Sequence, residues 1–108
     1  MILAYIPDLL FGSQVVGALS AHDIRLVSTL DGVEPPDLLI VDLTADADAR
    51  IEQARALGVP TLAFYAHVEG DVRAHAERVG FARVVPRSRM ARDGAALVDQ
   101  LLGGNLSV

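Results

Sequence analysis

At 108 residues with 52% hydrophobic content, the chain has enough apolar surface for one compact domain built on a single core. Its formal charge is −5, its nine basic residues are all Arg, and this acidic balance argues against general nucleic-acid binding. The absence of cysteine excludes a disulfide framework and any thiolate metal site. The charge is uneven: residues 1–54 hold nine acids and two Arg (net −7), and residues 55–108 hold five acids and seven Arg (net +2). A modest basic face late in the chain is compatible with that split. The opening residues lack a basic stretch and meet Asp8 too early for a secretory leader. No apolar run approaches the length of a membrane span, and a reducing cytoplasm is the expected setting.

Ile2 to Ile6 reads as a short apolar strand stopped by Pro7. Asp8 can cap the helix that follows, in which Phe11, Val15, Ala18 and Leu19 recur at helical spacing. Gly12 and Gly17 weaken that helix by roughly 1 kcal/mol each relative to Ala. Ile24 to Leu30 is a second strand, polar enough for a sheet edge. Asp31-Gly32 signals a turn, and Pro35-Pro36 forbids a helix directly before the third strand. That strand, Leu38 to Val41, is uninterrupted aliphatic and reads as covered on both faces. Asp42 stands where it leaves the sheet, the end at which open α/β sheets gather ligands.

The link between the second and third strands is short. A parallel crossover normally takes a dozen or more residues and usually a helix. Six or seven extended residues reach roughly 20 Å, just enough to return along one strand and step sideways twice. An extended connection without a helix is therefore expected, leaving one face of the sheet less covered. Beyond Asp42 the pattern is regular. Asp46 and Asp48 lie in the first turn of a helix with Ala47, Ile51, Ala54 and Leu57 as its apolar stripe, ended by Gly58. Val59 to Tyr65 is the fourth strand. A helix from Gly70 or Asp71 turns Val72, Ala76 and Val79 inward, with His75 half-buried on the same side, and stops at Gly80. Phe81 to Val85 is the fifth strand. The last helix runs from about Arg89 to Leu102 and buries Met90, Leu97, Val98, Leu101 and Leu102. Residues 1–104 form one domain and 105–108 a short tail. The fold class is α/β, a doubly wound five-stranded parallel sheet in three α/β/α layers, with the helix between strands 2 and 3 missing or vestigial.

The order of elements, the phrase Pro36-Asp37-Leu38-Leu39-Ile40-Val41-Asp42-Leu43, and the Val59-Pro60 and Gly80-Phe81 approaches to the last two strands resemble the receiver domain of bacterial response regulators. The resemblance covers nearly the whole chain. It implies a flavodoxin-like fold with strand order 2-1-3-4-5, a place in two-component signal transduction, and Asp42 at the position that accepts a phosphoryl group. Ile6 and Pro7 stand where receivers carry a pair of magnesium-binding acids, leaving only Asp8, one position late. Tyr65 replaces the usual Ser or Thr of the fourth strand. Arg87 is the nearest equivalent of the lysine that normally closes the site, since the chain has no lysine.

Phosphoryl transfer depends on positioning and on charge neutralisation at the equatorial oxygens, chiefly through the metal. Loss of two metal carboxylates points to a non-catalytic, receiver-like regulatory or interaction module, without cofactor or resident metal. Asp42 then reads as a helix-cap or Arg-paired carboxylate, with Arg87 able to supply a bidentate fork. Asp8 reads as an N-cap and Tyr65 as a rim residue with its hydroxyl in water. His67 is a surface-loop histidine that an Asp8–Asp42–His67 cluster would otherwise recruit for a transition metal. Arg83, Arg87, Arg89 and Arg92 are by default solvated surface residues that can contact an anion or an acidic partner. Two other readings stay open: a phosphoryl acceptor using Asp42 with an unusual metal shell of Asp8 and water, and a small-anion binder at the strand carboxyl ends using Arg87 and His67. Receivers commonly signal through their fourth helix, fifth strand and fifth helix, and the resemblance places Arg78, Arg83, Arg89 and Met90 near that face, where a homodimer is plausible. Neither nucleic acid nor membrane is an expected partner. No glycine-rich phosphate loop, nucleophile elbow or zinc spacing is present.

Overall fold

The computed structural model describes residues 1–66 and 70–103. Its elements run β1 (Ile2–Tyr5), α1 (Leu9–Ala18), β2 (Ile24–Val27), β3 (Leu38–Asp42), α2 (Ala47–Leu57), β4 (Thr61–Tyr65), α3 (Gly70–Arg78), β5 (Arg83–Pro86) and α4 (Arg87–Gly103). All five strands are parallel and lie in the order β2-β1-β3-β4-β5. This is the flavodoxin-like order that the receiver resemblance implies.

Strand alternation divides the interior into two cores. Ile2, Ala4, Leu38, Ile40, Leu62 and Phe64 face α1 and α4, which contribute Phe11, Val15, Met90, Leu97 and Val98. Leu3, Tyr5, Leu39, Val41, Ala63 and Tyr65 face α2 and α3, which contribute Ile51, Ala54 and Ala76. β1, β3 and β4 are buried along their whole length, as inner strands of a sheet covered on both faces must be. β2 and β5 are the edges and are only partly buried. Pro86 is tolerated at the end of β5 because an edge strand needs no donor on its open side.

The link between β2 and β3 contains no helix. Gly32, at φ 71°, makes its turn, with the Val33 amide donating to the Leu30 carbonyl at 3.5 Å. β2 is shorter than its apolar run suggests, ending at Val27 rather than Leu30, because β1 ends at Tyr5 and offers Ser28 no partner. The link accordingly lengthens to residues 28–37 and is less taut than a six-residue span. β4 begins at Thr61 rather than Val59, and β5 is shifted to Arg83–Pro86. Asp46 sits at the N-cap position of α2, one residue before its first turn. Ala18 and Leu102, expected inside, are exposed; Ala18 lines an open cleft between α1 and α4 beside Met90 and Ala91.

Gly12 has a structural purpose that propensity alone conceals. A Cβ there would stand 2.8 Å from one Leu26 methyl and 3.3 Å from the Ile6 carbonyl oxygen, so its absence lets α1 lie close against β2. No such contact surrounds Gly17.

Candidate functional site

The carboxyl ends of β1, β3, β4 and β5 lie along one end of the parallel sheet, and Asp8, Asp42, Tyr65 and Arg87 stand at or just beyond them. The structure resolves these residues into two separate ion pairs rather than one cluster.

Asp42 is the last residue of β3 and is 3% exposed. One carboxylate oxygen, Oδ1, accepts the Thr44 amide at 2.8 Å and the Thr44 hydroxyl at 2.5 Å, an Asx-type turn that redirects the chain out of the sheet. Asp46 then takes a left-handed backbone (φ 49°, ψ 40°), which Asp tolerates better than most residues, and α2 begins at Ala47. The fourth residue of α2, Arg50, reaches back to the strand end. Its Nη1 donates to the Asp42 carbonyl at 2.9 Å and stands 3.7 Å from Asp42 Oδ2. Its guanidinium also lies 4.0 Å from Asp46 Oδ2 and 5.8 Å from the centre of the Tyr5 ring. Tyr5 in turn donates its hydroxyl to Gln53 at 2.8 Å. The Asp42 and Arg50 side chains are 5% and 11% exposed, so this pair works in a partly desolvated setting where charge pairing matters.

The second pair is open to solvent. Asp8 caps α1 as expected, with Oδ1 accepting the Phe11 amide at 3.1 Å. Its Oδ2 is 3.8 Å from Arg87, and both side chains are about half exposed (51% and 48%). The Arg87 guanidinium stacks 4.1 Å above the Phe11 ring. Arg87 is therefore engaged with α1, and the partner of Asp42 is Arg50, correcting the assignment made on position alone. Tyr65 is buried against the α2–α3 core and does not sit at the rim. Arg89 pairs with Asp93 at 3.7 Å along α4, Arg83 is half-buried on the edge strand, and Met90 faces the core. His75 is half-buried as expected, 3.2 Å from Asp48. His67, Glu69 and the tail at 105–108 fall outside the described residues.

No family model matches the sequence, and no curated protein matches it. Solved structures do. A response regulator receiver protein from Burkholderia phymatum superposes with a TM-score of 0.76 at 21% identity, covering 94% of this chain and 94% of its own. A response regulator from Thermotoga maritima gives 0.73 at 12% identity over 94% and 95%. A putative CpaE2 pilus assembly protein from Sinorhizobium meliloti gives 0.63 at 10% identity over 93% and 98%. The chain has the receiver fold.

The receiver resemblance implies a magnesium ion, which requires a near-octahedral shell of oxygens. Among the described residues no three His, Cys, Asp or Glu side chains gather as such a shell. Ile6 is wholly buried and apolar, Asp8 is taken up by its cap and by Arg87, and both oxygens of Asp42 face protein partners. The residues present do not fit the ion. What the receiver fold holds here is a carboxylate fixed between a hydroxyl, an amide and a guanidinium, an arrangement suited to rigidity rather than to exchange. Arg50 escaped the sequence reading because the pair joins residues eight apart across a strand-to-helix turn. One signal was available: a cation so near a helix N-terminus opposes the helix dipole and calls for a compensating anion.

Proposed function

We propose that this domain is a receiver-like regulatory module that acts by protein contact and does not take up a phosphoryl group by the magnesium-dependent aspartyl route. The observation that carries this reading is the Asp42–Arg50–Thr44 arrangement. An acceptor carboxylate must present an oxygen to the incoming phosphorus, and here Oδ1 is held by Thr44 while Oδ2 faces Arg50. Arg50 supplies fixed positive charge from within the chain, so the site has one arrangement rather than two. The receiver fold of a chain described as a pilus assembly protein supports a use of this scaffold outside response regulators. The module is not an enzyme, and its setting is the cytoplasm.

Contact through the α3–β5–α4 face, including a homodimer, remains part of the proposal. Arg78 is exposed and Arg83 half-buried there, and both suit an acidic partner surface, whereas Met90 is withdrawn into the core. The test is intact-mass spectrometry after incubation with acetyl phosphate and Mg²⁺. The expected result is an unchanged mass. A gain of one phosphoryl group that disappears in Asp42→Asn would overturn the proposal and make the domain a working receiver.

A further inference from the structure

Helices α2, α3 and α4 each carry four or more charged residues, and α1 carries none. A helix lying against solvent ordinarily turns a charged face to water. α1 instead turns out Leu10, Gln14 and Ala18, all exposed and spaced four apart along one row. Leu9 and Leu10, at 71% and 74%, are the most exposed large apolar side chains among the described residues. Beside the row a cleft of about 40 Å³ opens between α1 and α4, lined by Gln14, Val15, Ala18, Met90, Ala91 and Gly94. A water in the liquid takes about 30 Å³, so the cleft has room for the tip of one aliphatic side chain. Arg87 and Asp8 stand 3.8 Å apart beyond one end of this face, and His22 and Asp99 3.0 Å apart beyond the other.

A twofold contact requires a patch that complements itself, and this face carries both a knob, Leu10, and a socket, the cleft. We infer that the α1–α4 face is the interface between two copies of this chain, with each helix antiparallel to its own copy. Gln14 then stands near the axis, where two carboxamides can each donate and accept. Leu10, four residues or about 6 Å away, reaches the partner's Ala18 and the cleft beside it. The charges at the ends of the face agree with that orientation. Arg87 and Asp99 lie about 18 Å apart along α4, so turning one copy end for end sets the Arg87 end over the Asp99 end twice. Asp8 likewise meets the His22 end, and acid does not face acid along either helix. Arg92, between them, is answered by Asp93 of its own helix at 3.2 Å. A face about 20 Å on a side buries on the order of 500 Å² per copy, less than a standard interface, so the dimer is weak and reversible. It lies on the α1 side of α4, leaves Arg78 and Arg83 free for another protein, and does not depend on whether Asp42 accepts a phosphoryl group.

Sedimentation velocity of the full chain from about 10 μM to about 1 mM tests this directly. The expected result is a monomer that gives way to a dimer across that range. Leu10→Glu is expected to raise the dissociation constant about tenfold or more, and Arg78→Glu, on the opposite side of the domain, to leave it unchanged. Leu10 is exposed and in the first turn of α1, where an acid suits the helix dipole, so this variant keeps its fold; an unchanged melting temperature at low concentration verifies that. The chain has no cysteine, so Gln14→Cys under mild oxidation is expected to form a covalent dimer across the axis, more slowly when Leu10→Glu is added. A monomer at about 1 mM, which would leave the face to a different protein, would overturn the proposal. So would a Leu10→Glu variant that dimerises as the parent does, or a dimer broken by Arg78→Glu instead.

Discussion

Replacing Arg50 by Met removes the only guanidinium that the structure places against Asp42 among the described residues, while keeping most of the side-chain volume over Tyr5. Deleting one partner of a buried ion pair typically costs about 3–5 kcal/mol, because the remaining charge is left unpaired. Here the 3.7 Å separation and the surviving Thr44 bonds to Oδ1 reduce that cost, while loss of the 2.9 Å bond to the Asp42 carbonyl adds to it. The expected destabilisation is about 3 kcal/mol, or roughly 12–24 °C in melting temperature for a domain of this size. Urea unfolding at pH 7 measures it, with the slope of free energy on urea unchanged if the two end states keep their surface. Adding Asp42→Asn to Arg50→Met removes the stranded charge and recovers about 1 kcal/mol or more, a coupling that two independent sites would not show. A loss below about 1 kcal/mol, or a double variant no more stable than Arg50→Met alone, would refute the role assigned to this pair.

Further predictions separate effects that look alike in the sequence. Gly17→Ala is expected to stabilise α1 by about 0.5–1 kcal/mol, whereas Gly12→Ala falls short of that gain by about 1 kcal/mol or more because Leu26 must move; equal gains in urea unfolding would contradict the close approach of α1 to β2. Asp8→Ala costs about 1 kcal/mol through the lost cap, while Asp8→Asn, which keeps an acceptor and loses only the exposed pair with Arg87, costs a few tenths. Matching losses in the two variants would place the energy in the ion pair instead. The Glu52 carboxyl is held below its usual 4.5, first by the hydrogen bond from Arg55. That contribution is complete above pH 4.5 and is lost as the pH falls through the lowered folded value. Thermal melts of Glu52→Gln should therefore lie slightly below the parent at pH 7 and converge with it in acid; a gap that widens in acid would reverse the sign.

The architecture was legible because it rests on local signals. The aliphatic run Leu38–Val41, the stripes of α2 and α3, and Pro35-Pro36 before β3 each set a local conformation, while the strand order came from the receiver resemblance, which the sheet matches. The short link between β2 and β3 was also readable, since chain reach is simple geometry. What was not legible was pairing. Nine Arg share one chain, and which of them meets Asp42 depends on the left-handed turn at Asp46 and the direction in which α2 leaves the sheet. The equivalence by position pointed to Arg87, but Phe11 and Asp8 hold that side chain on the other side of the site. Tyr65 followed the parity of β4 into the second core, a consequence of alternation that its polar hydroxyl obscured.

The position of β1 has a consequence for how the chain is made. It is the first of the five strands in chain order and lies between β2 and β3, with every residue from Ile2 to Ile6 buried. As the chain emerges, β1, α1 and β2 can form a local unit once residues 2–27 are made, but one edge of the buried, apolar β1 stays open until β3, ending at Asp42, has followed. During that interval the nascent chain presents an unpaired, hydrophobic strand edge, the feature that most readily recruits foreign strands. The compact link between β2 and β3 shortens the interval. A helix in that link would prolong it by the time needed to synthesise the added residues, so the abbreviated crossover also closes the sheet sooner.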